Sequence, residues 1–298
     1  VKQEIVFIEK CPICDGQNTG HFKSIKDFST SQEVFELSKC SDCGFVFTNP
    51  IPNQDAIARY YDSAEYISHT NTKRGLFARA YQLARNYAIK NKIKLLKRFI
   101  TKGAVLVDYG SGTGEFLNAC SKAGFATTGI ELSDKARSAA VLAFGLPVLK
   151  PSDFNQIPDN SVDVITMWHV LEHLPNLKSS LKTILLKIKK EGLLVLALPN
   201  RDSYDAKVYG EYWAAWDVPI HFYHFTKNDI DNLAKINNLE VVETRNMPLD
   251  SIYVSLLSEK YKTGKKNWPS ALFTGLVSNV KGMKDKNMSS LTYVLRKL

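Results

Sequence analysis

Four cysteines stand in two pairs, Cys11-Pro-Ile-Cys14 and Cys40-Ser-Asp-Cys43, roughly 25 residues apart. Each C-x-x-C pair makes a tight knuckle that can aim two thiolates at one ion, and two such pairs suit a tetrahedral zinc site of Cys11, Cys14, Cys40 and Cys43. Four protein ligands leave no position for water, so the metal is expected to be structural. Gly16 and Gly44 follow the pairs closely, where a tight turn needs tolerance of positive φ. Disulfides fit less well, because the first ten residues lack the apolar block of an export signal. A redox C-x-x-C would not be duplicated. Cys120, in an apolar helix-like stretch, reads as packing.

A second chemistry sits at Gly110-Ser111-Gly112-Thr113-Gly114. An apolar run at 104–108 precedes the loop, a helix-like stretch at 115–123 follows, and a second strand-like run at 126–131 ends in Glu131. Strand, glycine loop, helix, strand and acid make up the nucleotide-binding βαβ unit, in which Glu131 can accept hydrogen bonds from both ribose hydroxyls with Leu132 beside it. A dinucleotide loop reads G-x-G-x-x-G and seats a pyrophosphate on the helix N-terminus. Here the spacing is G-x-G-x-G, with Asp108 before it and Glu115 opening the helix. Carboxylates at both ends repel a pyrophosphate and suit a ligand bearing an ammonium and a sulfonium.

The elements that must position these residues follow from periodicity and caps. A helix is expected at 133–144, closed by Gly145, then strands at 147–149, 162–167 and 193–198. An amphipathic helix at 177–190 carries Leu177, Leu181, Ile184 and Ile188 on one face. Strands at 239–243 and 291–295, with a helix around 228–236, complete an α/β sheet of seven strands. Ligands of such sheets lie beyond the carboxyl ends of the strands. Trp168 and His169 leave the fourth strand there, with Glu172 and His173 one turn on. Histidine suits proton transfer at neutral pH. Residues 204–225 hold eight aromatics together with His221 and His224. That density suits a lid or an acceptor-pocket wall at about 200–225; a satellite core under a long crossover is the plainer alternative. His221 is the second candidate base, and Tyr66 and His69 are placed to close over the ligand from the other side.

The glycine loop with Asp108 and Glu131 resembles the class I methyltransferase motif, in which an acid-x-Gly-x-Gly-x-Gly loop holds S-adenosylmethionine. The stretches KCSDCGFVFTNPIPNQDAIARYYDSAEYISH, WHVLEHLPN and PNRDSY…YWAAWDVPIHFYHFT resemble a bacterial methyltransferase family with an N-terminal zinc ribbon. Relatives of that family include enzymes of ubiquinone-type methylation and sugar C-methyltransferases. The resemblance covers the chain to about residue 245 and implies a Rossmann-like class I methyltransferase fold. It implies S-adenosylmethionine contacts by Asp108, Gly110, Ser111, Gly112, Gly114, Glu131, Leu132 and Trp168. Asp153 and Phe154 would read adenine, by carboxylate to the exocyclic amine and by stacking. Catalysis would fall to His169, His221, Glu172 and Tyr66. The expected organisation is a zinc ribbon at 1–50, a helical linker at 51–102, and a methyltransferase core at 103–298 with a basic amphipathic segment near 260–287.

The acceptor class is narrowed by what is missing. No Pro-Pro-aromatic motif for amine methylation follows strand four, and no cysteine remains for cytosine C5 chemistry. Oxygen or an activated carbon of a small molecule remains, with a nucleotide-linked sugar or polysaccharide precursor among the acceptors implied. RNA methylation and a non-catalytic cofactor-binding module stay as alternatives. The ribbon shows no basic-aromatic interleaving of the kind nucleic-acid surfaces use.

The net charge of +9 is concentrated in two stretches. Residues 66–107 carry ten Lys or Arg and no acid; residues 260–298 carry nine against one acid. Either could be a solvated face; the first could attract a phosphate-bearing acceptor, and the second could lie on a membrane surface or, the plainer reading, pack on the lid. With no span-length apolar run and no export signal, a cytoplasmic location is expected.

Overall fold

The structure, a computed structural model, describes residues 4–61 and 76–298, with side chains in the first helix from Gln82 onward. Tyr66 and His69 lie outside the described residues.

Five short strands open the chain: β1 (Ile5–Val6), β2 (Thr19–Lys26), β3 (Val34–Cys40), β4 (Val46–Thr48) and β5 (Ile51–Pro52). The first helix, α1 (Leu76–Leu96), leads into β6 (Val105–Tyr109), α2 (Glu115–Lys122), β7 (Ala126–Ile130), α3 (Asp134–Phe144) and β8 (Val148–Leu149). Then come β9 (Val162–Trp168), α4 (Leu177–Lys187), β10 (Ile188–Pro199), α5 (Tyr204–Tyr209) and β11 (Tyr223–His224). The chain closes with α6 (Lys227–Ile236), β12 (Leu239–Asn246), α7 (Pro248–Thr263), α8 (Trp268–Asp285) and β13 (Ser290–Lys297).

Seven strands form one sheet in the order β12-β13-β10-β9-β6-β7-β8. β6 pairs in parallel with both β7 and β9, and β10 with β9, whereas β13 runs antiparallel to its neighbours β10 and β12. The apolar runs Val-Asp-Val-Ile-Thr-Met and Leu-Leu-Val-Leu-Ala-Leu are covered on both faces, as buried parallel strands require. Local chemistry sets the helix ends. Ser133 caps α3 by accepting from Ala136 N, and Gly145 closes it at φ 66°. Thr226 and Asp229 form a reciprocal capping box on α6, worth about 1 kcal/mol.

The winding switches sides between the parallel neighbours β6 and β9, so the crevice opens beyond Tyr109 and Trp168. The amphipathic helix expected at 177–190 stops at Lys187, because Ile188 enters the β10 ladder opposite Val162. Residues 248–263, unassigned by sequence pattern, are helical.

The N-terminal ribbon is not a free-standing unit ending at residue 50. Its sheet runs β11-β4-β3-β2, so β11, from the aromatic stretch, supplies its edge strand. Phe45 and Phe47 are fully buried in the same core cluster as Tyr223, Phe225 and the sheet residues Ile165 and Leu196. The aromatic stretch is itself a packed layer. Trp213 and Trp216 meet edge to face at 5.4 Å and sit against Ile25 and Leu37 of the ribbon. Such density is explained by burial from both sides: the stretch is a packed layer rather than an exposed flap.

Candidate functional site

The four cysteine sulfurs converge. Cys11 Sγ lies 3.5 Å from Cys43 Sγ and Cys14 Sγ 3.6 Å from Cys40 Sγ, with all four within 4.8 Å of one another. Zn–S bonds of about 2.3 Å in a tetrahedron put sulfurs roughly 3.8 Å apart, so the set fits a zinc ion with little adjustment. The knuckles are built by backbone. Gly16 O accepts from Cys11 N at 2.9 Å, Cys40 O accepts from Gly44 N at 2.9 Å, and Gly44 takes φ +81°. All five cysteines are free thiols. Cys120 is buried and its thiol pKa is pushed up by desolvation, which makes it inert.

The glycine loop leaves β6 as expected. Gly110 takes φ +78°, and a Cβ there would meet Val170 Cγ2 at 2.3 Å. Gly112 also has positive φ, but a Cβ there would meet nothing: space is open where a ligand must approach. Glu131 braces the loop, with Oε2 accepting from Gly112 N at 2.8 Å and Oε1 from Ser133 N at 2.9 Å. Each oxygen keeps a second lone pair. Leu132 beside it is 76% exposed, an apolar surface without cover among the described residues. Ser111 Oγ is buried with no hydrogen-bond partner, a donor waiting for an acceptor. Gly114, at φ +84°, packs against Ala140 and closes the loop onto α3.

Asp108 is buried at the end of β6 and accepts from Thr166 Oγ1 at 2.6 Å. Burial raises its pKa to about 7, against the opposing pull of Thr166 and of Lys92. Lys92, reaching in from α1, holds its ammonium 3.9 Å from the centre of the Trp168 ring. Burial lowers its pKa to about 8 while Asp108 and Asp250 resist. Trp168 Nε1 is buried and unpartnered, and its ring packs edge-on to Phe116. Asp153 is partly exposed, but Phe154 is buried and packs edge-on against Tyr109. The Phe154 ring therefore belongs to the core, where burying it is favoured over presenting it to the crevice.

At the end of β9 the backbone turns sharply, and His169 takes φ +57°, a strained left-handed conformation for a non-glycine residue. The strain holds its ring between two carboxylates: Nε2 is 3.1 Å from Asp250 Oδ2, and Nδ1 is 3.4 Å from Glu172 Oε1, an ion-pair distance rather than a formed hydrogen bond. Burial opposes charge on this ring, but the two carboxylates outweigh it and raise the pKa to about 10. His169 is thus an imidazolium at neutral pH. A ring held in that state is set to donate a hydrogen bond rather than to accept a proton.

Glu172 is fully buried with neither oxygen hydrogen-bonded. Burial works against its charge, yet the His169 imidazolium beside it holds its pKa below the usual carboxylate value. His173 and His221 stack edge to face at 4.6 Å beside it. His173 Nδ1 faces Ile220 O at 3.0 Å and His221 Nδ1 faces Ala215 O at 2.9 Å, which fixes the proton on Nδ1 of both rings and leaves Nε2 as a lone pair. Burial depresses both, His173 to about 4, so both are neutral.

Sequence reasoning missed Lys92, Thr166, Arg201 and Asp250. Arg201 donates to Gly44 O and to His224 O, each at 3.0 Å, and pairs with Asp229 at 3.3 Å, which ties the second cysteine knuckle to the aromatic wall. No periodicity marks such residues, because each acts across a long sequence separation.

A family model described as a methyltransferase domain matches residues 80–244, more than half of the chain. The chain is 32% identical over 123 residues to a ubiquinone biosynthesis O-methyltransferase of Paramagnetospirillum magneticum, covering 39% of this chain and 49% of that protein. It is 28% identical over 167 residues to the ubiquinone biosynthesis O-methyltransferase of Cupriavidus pinatubonensis, covering 51% of this chain and 67% of that protein. The first match thus spans about half the length of that relative. Among solved structures, phosphoethanolamine N-methyltransferase 2 of Haemonchus contortus in complex with S-adenosyl-L-methionine superposes with a TM-score of 0.51 at 16% identity, over 85% of this chain and 62% of the other. At that identity the likeness speaks for the fold alone.

Proposed function

Because the chain belongs to the methyltransferase-domain family, we propose that it binds S-adenosylmethionine in the crevice beyond β6, β7 and β9. It transfers the methyl group to an oxygen or activated carbon of a small-molecule acceptor. The observation that carries this reading is the pair of carboxylates, Asp108 and Glu131, at adjacent strand ends around a glycine loop left open at Gly112. The likeness to two ubiquinone biosynthesis O-methyltransferases favours an oxygen acceptor. The exposed lysines of α1, Lys90, Lys94 and Lys97, favour one that carries phosphate, as a nucleotide-linked sugar or polysaccharide precursor would.

The bound cofactor supplies an electrophilic methyl on a positively charged sulfur. The chain's residues do the rest. Asp108 offers a carboxylate to the ammonium, and Glu131 offers its free lone pairs to the ribose hydroxyls. Leu132 gives apolar contact, and Asp153 accepts from the adenine amine. An acceptor methylated there would have to lose its proton to the chain. His221, neutral and with Nε2 unprotonated, takes it. His169, held as a cation by Asp250 and Glu172, positions the acceptor and offsets its developing negative charge.

Titration calorimetry tests the cofactor assignment. S-adenosylmethionine or S-adenosylhomocysteine should bind and NAD should not. Glu131→Gln should weaken binding by about 1.5–3 kcal/mol, the usual contribution of hydrogen bonds to a charged group. Tight NAD binding with no response to the adenosyl ligands would refute the assignment.

Cofactor affinity should also depend on pH. Asp108 titrates near 7 in the free protein, and pairing with the cofactor ammonium lowers its pKa in the complex. Binding therefore releases a proton, and affinity should climb as pH rises towards about 7 and level off beyond it. Calorimetry in two buffers of different ionisation enthalpy measures that release. Asp108→Asn should abolish it; an unchanged proton release in that variant would locate the linkage elsewhere.

A further inference from the structure

The helix α8 is turned inside out. Its buried face carries Ala271, Thr274, Gly275, Ser278 and Gly282, small or polar side chains. Its outward face carries Leu272, Phe273, Leu276, Val280 and Met283, exposed at 41, 70, 54, 68 and 62%. A helix lying on a water-soluble protein normally shows the reverse. The inversion is fixed by specific contacts. Ser278 donates to the buried Asp205 at 2.6 Å, and Asn279 bonds Ser251 at 2.7 Å and Pro248 O at 2.9 Å. Gly275 lets α8 lie against the backbone of Ile252 in α7, where a Cβ would come within 2.9 Å. Rotating α8 to bury its apolar face would break all of these.

Charge surrounds the apolar face. Lys265 and Lys266 precede the helix, Lys281, Lys284 and Lys286 stand at its end, and Asp285 is the single acid among them; all are exposed. No helix of the described residues is long and apolar enough to cross a membrane, so this face can lie on a lipid surface but not span it. Apolar side chains in the plane with lysines at the rim match an anionic bilayer surface. A second copy seated on the same face would bring two sets of lysines together and repel.

We propose that α8 docks the protein on an anionic lipid surface, with Phe273, Leu276 and Val280 entering the acyl boundary and the flanking lysines meeting the headgroups. The full chain should co-sediment with phosphatidylcholine vesicles containing phosphatidylglycerol and stay in solution with phosphatidylcholine alone. Lys284→Gln/Lys286→Gln should lower the partition coefficient about 25-fold, from about fivefold per lysine near an anionic surface. Phe273→Glu/Leu276→Glu should abolish sedimentation while leaving the thermal melt unchanged, since both residues project from the protein. The proposal is overturned if the full chain fails to bind the anionic vesicles, or if the glutamate variant binds them as well as the parent. A concentration-dependent dimer that Leu276→Glu dissociates, without vesicle binding, would assign the face to a second copy. None of these outcomes depends on cofactor binding, so the docking and the methyl-transfer readings stand or fall separately.

Discussion

Stripping the metal from the four-cysteine cluster is expected to unfold the N-terminal sheet and to abolish acceptor turnover together, although the ion takes no part in the chemistry. Structural zinc contributes on the order of 10 kcal/mol to modules of this kind, more than a ribbon with so small a core can replace. The loss would spread along named bonds. Thr48 in β4 donates its N–H to Phe222 O at 2.9 Å and its hydroxyl to His221 O at 2.8 Å, and the hydroxyl also meets His224 Nε2 at 3.0 Å. Arg201 joins Gly44 to His224. The layer that carries His221 is therefore hydrogen-bonded directly to the ribbon, whereas the glycine loop is braced by Glu131 and meets the ribbon only through the shared apolar core. Cys43→Ser or prolonged chelation should lower the melting temperature and erase turnover, with S-adenosylmethionine binding weakened far less. A zinc-free chain that keeps its melt and its aromatic circular dichroism would sink the assignment.

The second large effect is expected at His221. His221→Asn keeps a donor for Ala215 O and removes the lone pair, so it separates folding from proton transfer. Turnover should fall by about 10²–10⁴, the usual contribution of a positioned base. Cofactor affinity should hold. The pH profile gives an independent reading. Burial places the His221 pKa below the usual histidine value, so the rate should drop on the acid side only below about pH 6.5. His169, raised to about 10, stays charged throughout and adds no step in that range. Its ion pairs stabilise the fold fully below about 6.5, and this contribution is lost as pH rises through about 10. Near-normal turnover in His221→Asn would remove it as the base.

The parts of this molecule that repeat a local rule were legible from sequence. The cysteine knuckles, the glycine loop, and the strands around Val107, Ile165 and Val195 each follow from spacing within ten residues or so. The parts that depend on partners far along the chain were not. His169 is a reasonable base by residue type; Asp250, brought in by α7, joins Glu172 in making it a cation. That helix leaves no apolar period to read, because its buried face includes Ser251, Ser255, Ser258 and Glu259. The aromatic stretch was recognised as dense but not as a strand, because Tyr223 and His224 earn that status only by pairing with Phe47 and Val46. Lys92 looked like one more lysine of a basic helix until Trp168 and Asp108 were set against it.

The pairing of β4 with β11 also sets an order of events during synthesis. Val46 and Phe47 are fully covered in the finished protein, yet the strand that covers them is made from residues 223–224. At a translation rate of about 5–20 residues per second, roughly ten to thirty seconds separate the two strands on the ribosome. The cysteines can gather their ion at once, but through that interval the ribbon presents a bare apolar edge, the kind of surface that chaperones hold and that neighbouring nascent chains find. Metal loading thus comes early and edge protection late, and the first fifty residues finish folding only when β11 arrives.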